Sequence, residues 1–293
     1  MVVFLYLLER NCKVYLKDRT RVFFAFLSVL MILLVYAVFL GDSTARSAQN
    51  AAGPDVEGIR WLVDSWIMAG ILVVSSVTVP LSFFGMMLED KREKKLDGLR
   101  SAPVPRYYLV GAYLAAAWLV AMTLCTAALI LSQVYMVFFG GQWLNLVQLV
   151  QGLGILAASV FSGAAITFFL TVWIRSSGAF SSMATIIGTI IGFLTGIYIP
   201  FGALPETIQN LTRLIPAAYA AVRMRQIFME NPIARTFATA PDEAKTRFLQ
   251  NYGVEMVIQG SSAAPWVFTA VLVGSGLFFL VLAVLAMNRS AEL

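Results

Sequence analysis

The segment Glu89-Asp90-Lys91-Arg92-Glu93-Lys94-Lys95-Leu96-Asp97-Gly98-Leu99-Arg100-Ser101-Ala102-Pro103-Val104-Pro105-Arg106 is the densest run of charge in the chain. Long apolar runs flank it, 65–88 before and 107–139 after. A few charges suffice to turn a chain between two apolar segments, so this cluster asks for a further reason. Its order is charge, then a short apolar stripe (Leu96, Leu99), then a Pro-x-Pro stop at Pro103 and Pro105. That order predicts a short surface helix gripped by another protein.

Only 13% of the 293 residues are charged and 59% are hydrophobic, where a soluble domain carries about a quarter charged. The apolar residues fall in long uncharged runs, so the expected fold is an all-α polytopic membrane protein. The net charge of +5 follows from Lys and Arg gathering on cytoplasmic loops and does not argue for nucleic acid. Cys12 and Cys125 are the two cysteines, and histidine is absent. No disulfide, metal site or catalytic residue is expected from them, and the usual general base is missing. There is no Gly-x-x-x-x-Gly-Lys-Ser/Thr phosphate loop.

Residues 1–21 place Val3, Phe4, Leu7 and Leu8 among Arg10, Lys13, Lys17, Arg19 and Arg21. They read either as an interfacial helix with a basic face toward anionic lipid or as a basic flank that sets topology. Residues 22–41 form the first span; they are too long and too far from the start for a cleaved signal peptide. Residues 42–60 read as an outside loop. Asp64, at the entry of the second span (65–88), reads as interfacial and wet. After the charged loop at 89–106, the uncharged stretch up to Arg175 breaks at Gly140-Gly141-Gln142-Trp143-Leu144-Asn145. Spans three and four are therefore 108–138 and 149–174. The fifth span is 180–199 and the sixth 265–287.

Gly188, Gly192 and Gly196 repeat at intervals of four in the fifth span. On a helix they share one face and admit a close neighbour, either within the bundle or at a subunit interface. Residues 200–264 form an outer region, where Pro200, Pro205 and Pro216 punctuate an apolar segment too short to cross and return. It reads as a re-entrant hairpin. Asn210-Leu211-Thr212 matches a glycosylation acceptor, by coincidence in so apolar a place. Six spans put both termini on one side, and the Lys/Arg bias of the short loops makes that side cytoplasmic. The expected location is the plasma membrane of a bacterial or archaeal cell.

The spans hold no paired carboxylates or Lys–Asp relay of the kind that ion-driven transporters carry. Energy must then enter from outside the membrane, and the 89–106 loop is where a cytoplasmic motor would push. Here the sequence resembles the type-2 permeases of ATP-binding-cassette exporters. Their first cytoplasmic loop reads roughly Glu-Arg-Glu-x-Gly-Thr-Leu-x-x-Leu-x-x-x-Pro-Val-x-Arg. Ungapped, Asp90 and Lys91 fall on the acidic–basic pair, and Leu96, Leu99, Pro103, Val104 and Arg106 match. Lys94-Lys95 stand where the family has Gly-Thr. A second likeness follows span five: Pro200, Leu204-Pro205, then Pro216, Tyr219 and Arg223.

The resemblance implies one permease domain over residues 1–293, with an N-terminal interfacial helix, a coupling helix and an outer re-entrant hairpin at 200–216. It implies a separate ATPase subunit that holds ATP and Mg, with no cofactor in this chain. Asp90, Lys91, Arg92, Glu93, Leu96, Leu99 and Pro103 would face that ATPase. Gly188, Gly192 and Gly196 would face a second permease copy or homologue, and membrane lipid would surround the rest. The substrate would be an amphipathic or hydrophobic drug, lipid, peptide or glycan, with Trp118, Trp143 and Trp173 as stacking or anchoring residues. A non-transporting scaffold or immunity subunit, or a membrane-embedded lipid-modifying enzyme, are the competing readings.

Overall fold

The structure is a computed structural model, and it describes residues 2–52, 58–93, 106–238, 242–258 and 261–289. Eleven α-helices are described: α1 Val2–Lys17, α2 Arg19–Val35, α3 Gly41–Ala52, α4 Ile59–Arg92, α5 Arg106–Phe138, α6 Leu146–Val172, α7 Ser177–Leu194, α8 Glu206–Thr212, α9 Pro216–Thr236, α10 Asp242–Asn251 and α11 Pro265–Arg289. A π turn, Tyr36–Leu40, joins α2 to α3, and a 3-10 turn, Phe201–Ala203, precedes α8. A two-residue antiparallel pair, Val257–Ile258 with Ser261–Ser262, precedes α11. Among the described residues, six helices are long and apolar enough to cross a membrane: α2, α4, α5, α6, α7 and α11. An apolar span must satisfy its backbone internally, and a helix does this within one segment.

The turns between spans carry their own stop and start chemistry. Asn145 and Gln148 form a reciprocal capping box at the start of α6. The Ser176 hydroxyl accepts from the Ala179 amide at 3.1 Å to start α7. Asp18 breaks α1 from α2 and caps the latter, accepting from the Arg21 amide at 3.0 Å.

Helix α4 is the axis of the bundle. It runs 34 residues, roughly 50 Å at 1.5 Å per residue, and is buried almost throughout. Helices α5, α6, α7 and α9 pack along it. Small residues make the closest approaches. Ser76 and Ser159 join their hydroxyls at 2.6 Å. A Cβ on Gly163 would lie 2.5 Å from the Ser76 carbonyl oxygen and 3.2 Å from Val77 Cα. Pro80 lies inside α4, and its missing N–H leaves that same Ser76 carbonyl without its helical donor. The glycine accommodates the carbonyl where α6 crosses. Ser162 and Ser275 bridge α6 to α11 at 2.9 Å.

Several expectations are corrected. Residues 41–52, read mostly as loop, are the helix α3. Asp64 is buried, 1% exposed, because it has partners there, as described below. The fifth span ends at Leu194 rather than 199. Residues 216–236, read as outer loop, form α9, which packs between α4, α6 and α11 through Ala217, Ala220, Met224 and Phe228. Its four alanines in the first turns, Ala217, Ala218, Ala220 and Ala221, allow that close packing, which a hydropathy reading does not register. The segment read as a re-entrant hairpin contains the 3-10 turn after Pro200 and α8 after Pro205; Pro216 is the first residue of α9.

Candidate functional site

The functional readings converge on the two ends of α4. At the end where α1 lies, α4 finishes with Glu89, Asp90, Lys91 and Arg92. Asp90 points inward, 3% exposed. Its carboxylate accepts from Arg10 at 2.9 Å and from the Tyr113 hydroxyl at 3.1 Å. Burial opposes the charge on Arg10, but Tyr113 and Asp90 outweigh it and hold the guanidinium above its ordinary value. Arg10 also donates to Asn11 at 2.9 Å. One residue back, Glu89 accepts from Arg21 at 2.6 Å, and Arg21 also pairs with Asp18. Tyr15 stacks on Phe83 at 5.2 Å and shares a 2.8 Å hydrogen bond with Ser82. The α1–α2 corner is thus tied to the end of α4 by two ion pairs and a ring stack. Burial pushes the neighbouring Cys12 thiol up, away from reactivity.

Asp90, expected on the partner-facing surface, is therefore an internal tie; the acidic residue is drawn in by Arg10 and Tyr113. Lys91 is half-buried, and Arg92 and Glu93 are exposed. Arg92 reaches Ser177 at the start of α7, 3.4 Å away. Leu96, Leu99 and Pro103 lie outside the described residues, as does the expected coupling helix.

At the opposite end of α4, Asp64 accepts from the Tyr36 hydroxyl at 2.6 Å and from Arg60 at 3.1 Å. Arg60 extends to Asp42 and to Tyr135 at 3.3 Å, with its guanidinium over Phe139. Five polar residues from the π turn, α3, α4 and α5 thus form one network. Nearby, Arg225 of α9 is buried against Trp66 of α4, 5.1 Å from the ring centre. Its Nη2 donates to the carbonyls of Thr195 and Gly196, at 2.7 and 3.0 Å. Sequence reading missed both groups. The available signals were Arg60 and Asp64 at helical i, i+4 spacing, and an arginine in an alanine-rich helix after Pro216.

The three glycines do not share a helical face. Gly196 follows the last turn of α7 with φ +72°. Its amide bonds to Phe193 and that of Ile197 to Gly192, each at 3.0 Å, closing a Schellman cap. The Tyr198 ring fills the space beside Gly192, and only open space lies beside Gly188. Between α2 and α7, with α4 as floor, lies a cleft of about 610 Å³ edged by Arg21, Phe24, Ser82, Glu89 and Phe180. A smaller apolar hollow of about 230 Å³ lies farther along, between Met31, Val35, Ile67 and Tyr198.

A family model described as ABC-2 family transporter protein matches residues 57–285. No curated protein matches the sequence. The match takes in α4, the charged segment and everything through α11 up to residue 285, which is the frame on which the resemblance rested. The chain belongs to the ABC-2 family of transporter proteins, the membrane-spanning transport subunits of ABC transporters.

Proposed function

We propose that this chain is the permease subunit of an ATP-driven exporter that moves an amphipathic or hydrophobic substrate out of the cytoplasm. The carrying observation is α4: one buried helix joins the root of the 89–106 segment to the Arg60–Asp64 network at the far end. A push at its charged end is delivered along a packed, rigid element rather than dissipated. In this reading the termini and the charged segment are cytoplasmic. A separate ATPase, carrying ATP and Mg, grips Leu96 and Leu99, with Lys91, Arg92 and Glu93 beside the grip. The Asp90–Arg10 and Glu89–Arg21 pairs make α1 and the start of α2 move with α4.

The cleft between α2 and α7 supports pairing with a second permease across these two helices. Both are mostly exposed along their length, and the open face at Gly188 belongs to α7. The cleft sets the charges of Arg21 and Glu89 and the Ser82 hydroxyl beside the rings of Phe24 and Phe180, which suits an amphipathic cargo.

The test is purification of the chain with an ATP-binding-cassette ATPase and measurement of substrate-dependent ATP hydrolysis. Leu96→Asp and Leu99→Asp are expected to abolish stimulation while leaving membrane insertion intact. Stimulation unchanged in these variants overturns the coupling role. Reporter fusions at Gly53 and Ser101 test orientation; an external Ser101 overturns both topology and mechanism.

A further inference from the structure

Arg225 has more donors than the fold uses. Arg225 is 2% exposed. Nη2 is spent on the last carbonyls of α7, but Nε has no partner. No carboxylate lies within ion-pair distance of it among the described residues. A buried charge without a counter-charge is costly, so a structural cap alone accounts poorly for an arginine here.

Arg225 lines a cavity of about 340 Å³ bounded by α8, α9, the end of α10 and residues 253–256. The floor is apolar, from Ala218, Val222 and Met256, and the mouth carries Arg213, Gln250 and Asn251, all exposed. Gly253, at φ +62°, leaves room for the guanidinium; a Cβ there would sit 3.1 Å from Nη1. Such a cavity has one buried cation, amide groups at the rim and an apolar floor.

We infer that the Arg225 cavity binds the phosphate of an amphiphile headgroup, with Arg225 at its base and Arg213 at its mouth. A buried guanidinium without a counter-charge favours an anion by its charge, and the apolar floor receives the carbons next to the phosphate. Glu255 shares the wall. Its carboxylate disfavours a free phosphate, which carries close to two charges near neutral pH, and leaves a singly charged phosphodiester as the better fit.

The test is native mass spectrometry of the purified full chain in detergent, titrated with short-chain phosphatidylglycerol, the matching diacylglycerol, or inorganic phosphate. One phospholipid is expected to remain bound, with neither diacylglycerol nor inorganic phosphate competing. Arg225→Gln removes the charge, but Arg225 also caps α7, so two further variants keep it in place. Ala218→Leu fills the floor and is expected to weaken retention about tenfold, the scale of losing one charge-assisted hydrogen bond. Arg213→Gln, at the exposed mouth, is expected to weaken it about threefold. Equal retention of diacylglycerol, or retention unchanged in both Ala218→Leu and Arg213→Gln, overturns the site. Competition by inorganic phosphate as strong as that by phospholipid overturns the headgroup assignment and makes it a free-anion site. None of these outcomes depends on transport or on an ATPase.

Discussion

Arg10 of α1 and Asp90 at the end of α4 meet at 2.9 Å across 80 residues of chain. The carboxylate is almost wholly buried, and the arginine about a quarter exposed. The pair joins the first helix to the root of the charged 89–106 segment. Removing Arg10 leaves the buried Asp90 carboxylate with Tyr113, and removing Asp90 leaves Arg10 with the neutral Asn11 and Tyr113.

Asp90→Asn and Arg10→Gln are each expected to lower stability in detergent by about 1.5–3 kcal/mol, the range for hydrogen bonds to charged groups. The double variant should cost less than the sum, because the two residues are in contact. Thermal unfolding of the four proteins measures the coupling; strict additivity would show that the pair is not energetically joined.

Tyr36→Phe removes the 2.6 Å donor to Asp64 and leaves a buried carboxylate with Arg60 as its remaining partner. A loss of about 1.5–3 kcal/mol is expected. Arg60→Gln should be as damaging, since Asp42 and Tyr135 lose their partner as well. Unfolding midpoints in detergent read both; a Tyr36→Phe protein as stable as wild type would remove the network from the list of stabilising features.

Gly163 and Gly152 lie on the same helix and are expected to respond oppositely. At Gly163 a methyl group meets the Ser76 carbonyl at 2.5 Å, where the backbone itself must move. Gly163→Ala should destabilise by about 1–3 kcal/mol. At Gly152 nothing lies within 4 Å of the added carbon, so Gly152→Ala should be neutral or gain up to about 1 kcal/mol of helix propensity. Comparing the two melting temperatures isolates the packing effect from the propensity effect.

Gly196→Ala forces a side chain into a left-handed conformation and is expected to cost about 1 kcal/mol. Gly188→Ala, facing open space, should leave the isolated chain's stability unchanged or slightly raised. If α7 pairs with a second copy, Gly188→Trp should reduce the dimer fraction seen by light scattering while leaving the monomer folded. An unchanged dimer would exclude this face.

Asp18 supplies a pH response. Its hydrogen bond from the Arg21 amide, aided by the Arg21 charge, holds its carboxyl below the ordinary range. The folded value lies below the unfolded one, so its contribution is complete above about pH 4. It is lost as pH falls through the folded value. Asp18→Asn keeps a capping oxygen without the titration, and should flatten that part of the acid limb in a pH series of unfolding midpoints.

The legible part of the site was its chemistry by residue type. The 89–106 segment stands out because charge is scarce elsewhere, and the family frame followed from Leu96, Leu99, Pro103 and Arg106. Which of its residues face outward was not legible. Asp90 and Lys91 are adjacent in the chain, but a helix turns about 100° per residue, and only the partners Arg10 and Tyr113 decide which of the two is buried. The same limit explains Asp64: its depth depends on Tyr36 and Arg60, not on its place at the edge of an apolar run.

By itself the sequence determined the spans, their number and the charged segment between the second and third. These follow from local hydropathy and length, since a helix across a bilayer needs no partner to satisfy its backbone. Tertiary structure alone decided that α4 is the buried axis and that α9 belongs to the core. It alone decided that Gly196 ends a helix instead of lining one, and that Arg225 lies beside a cavity. Those outcomes depend on which small residues let two backbones approach and which charges find partners. That is a property of residues far apart in the chain, and no local pattern carries it.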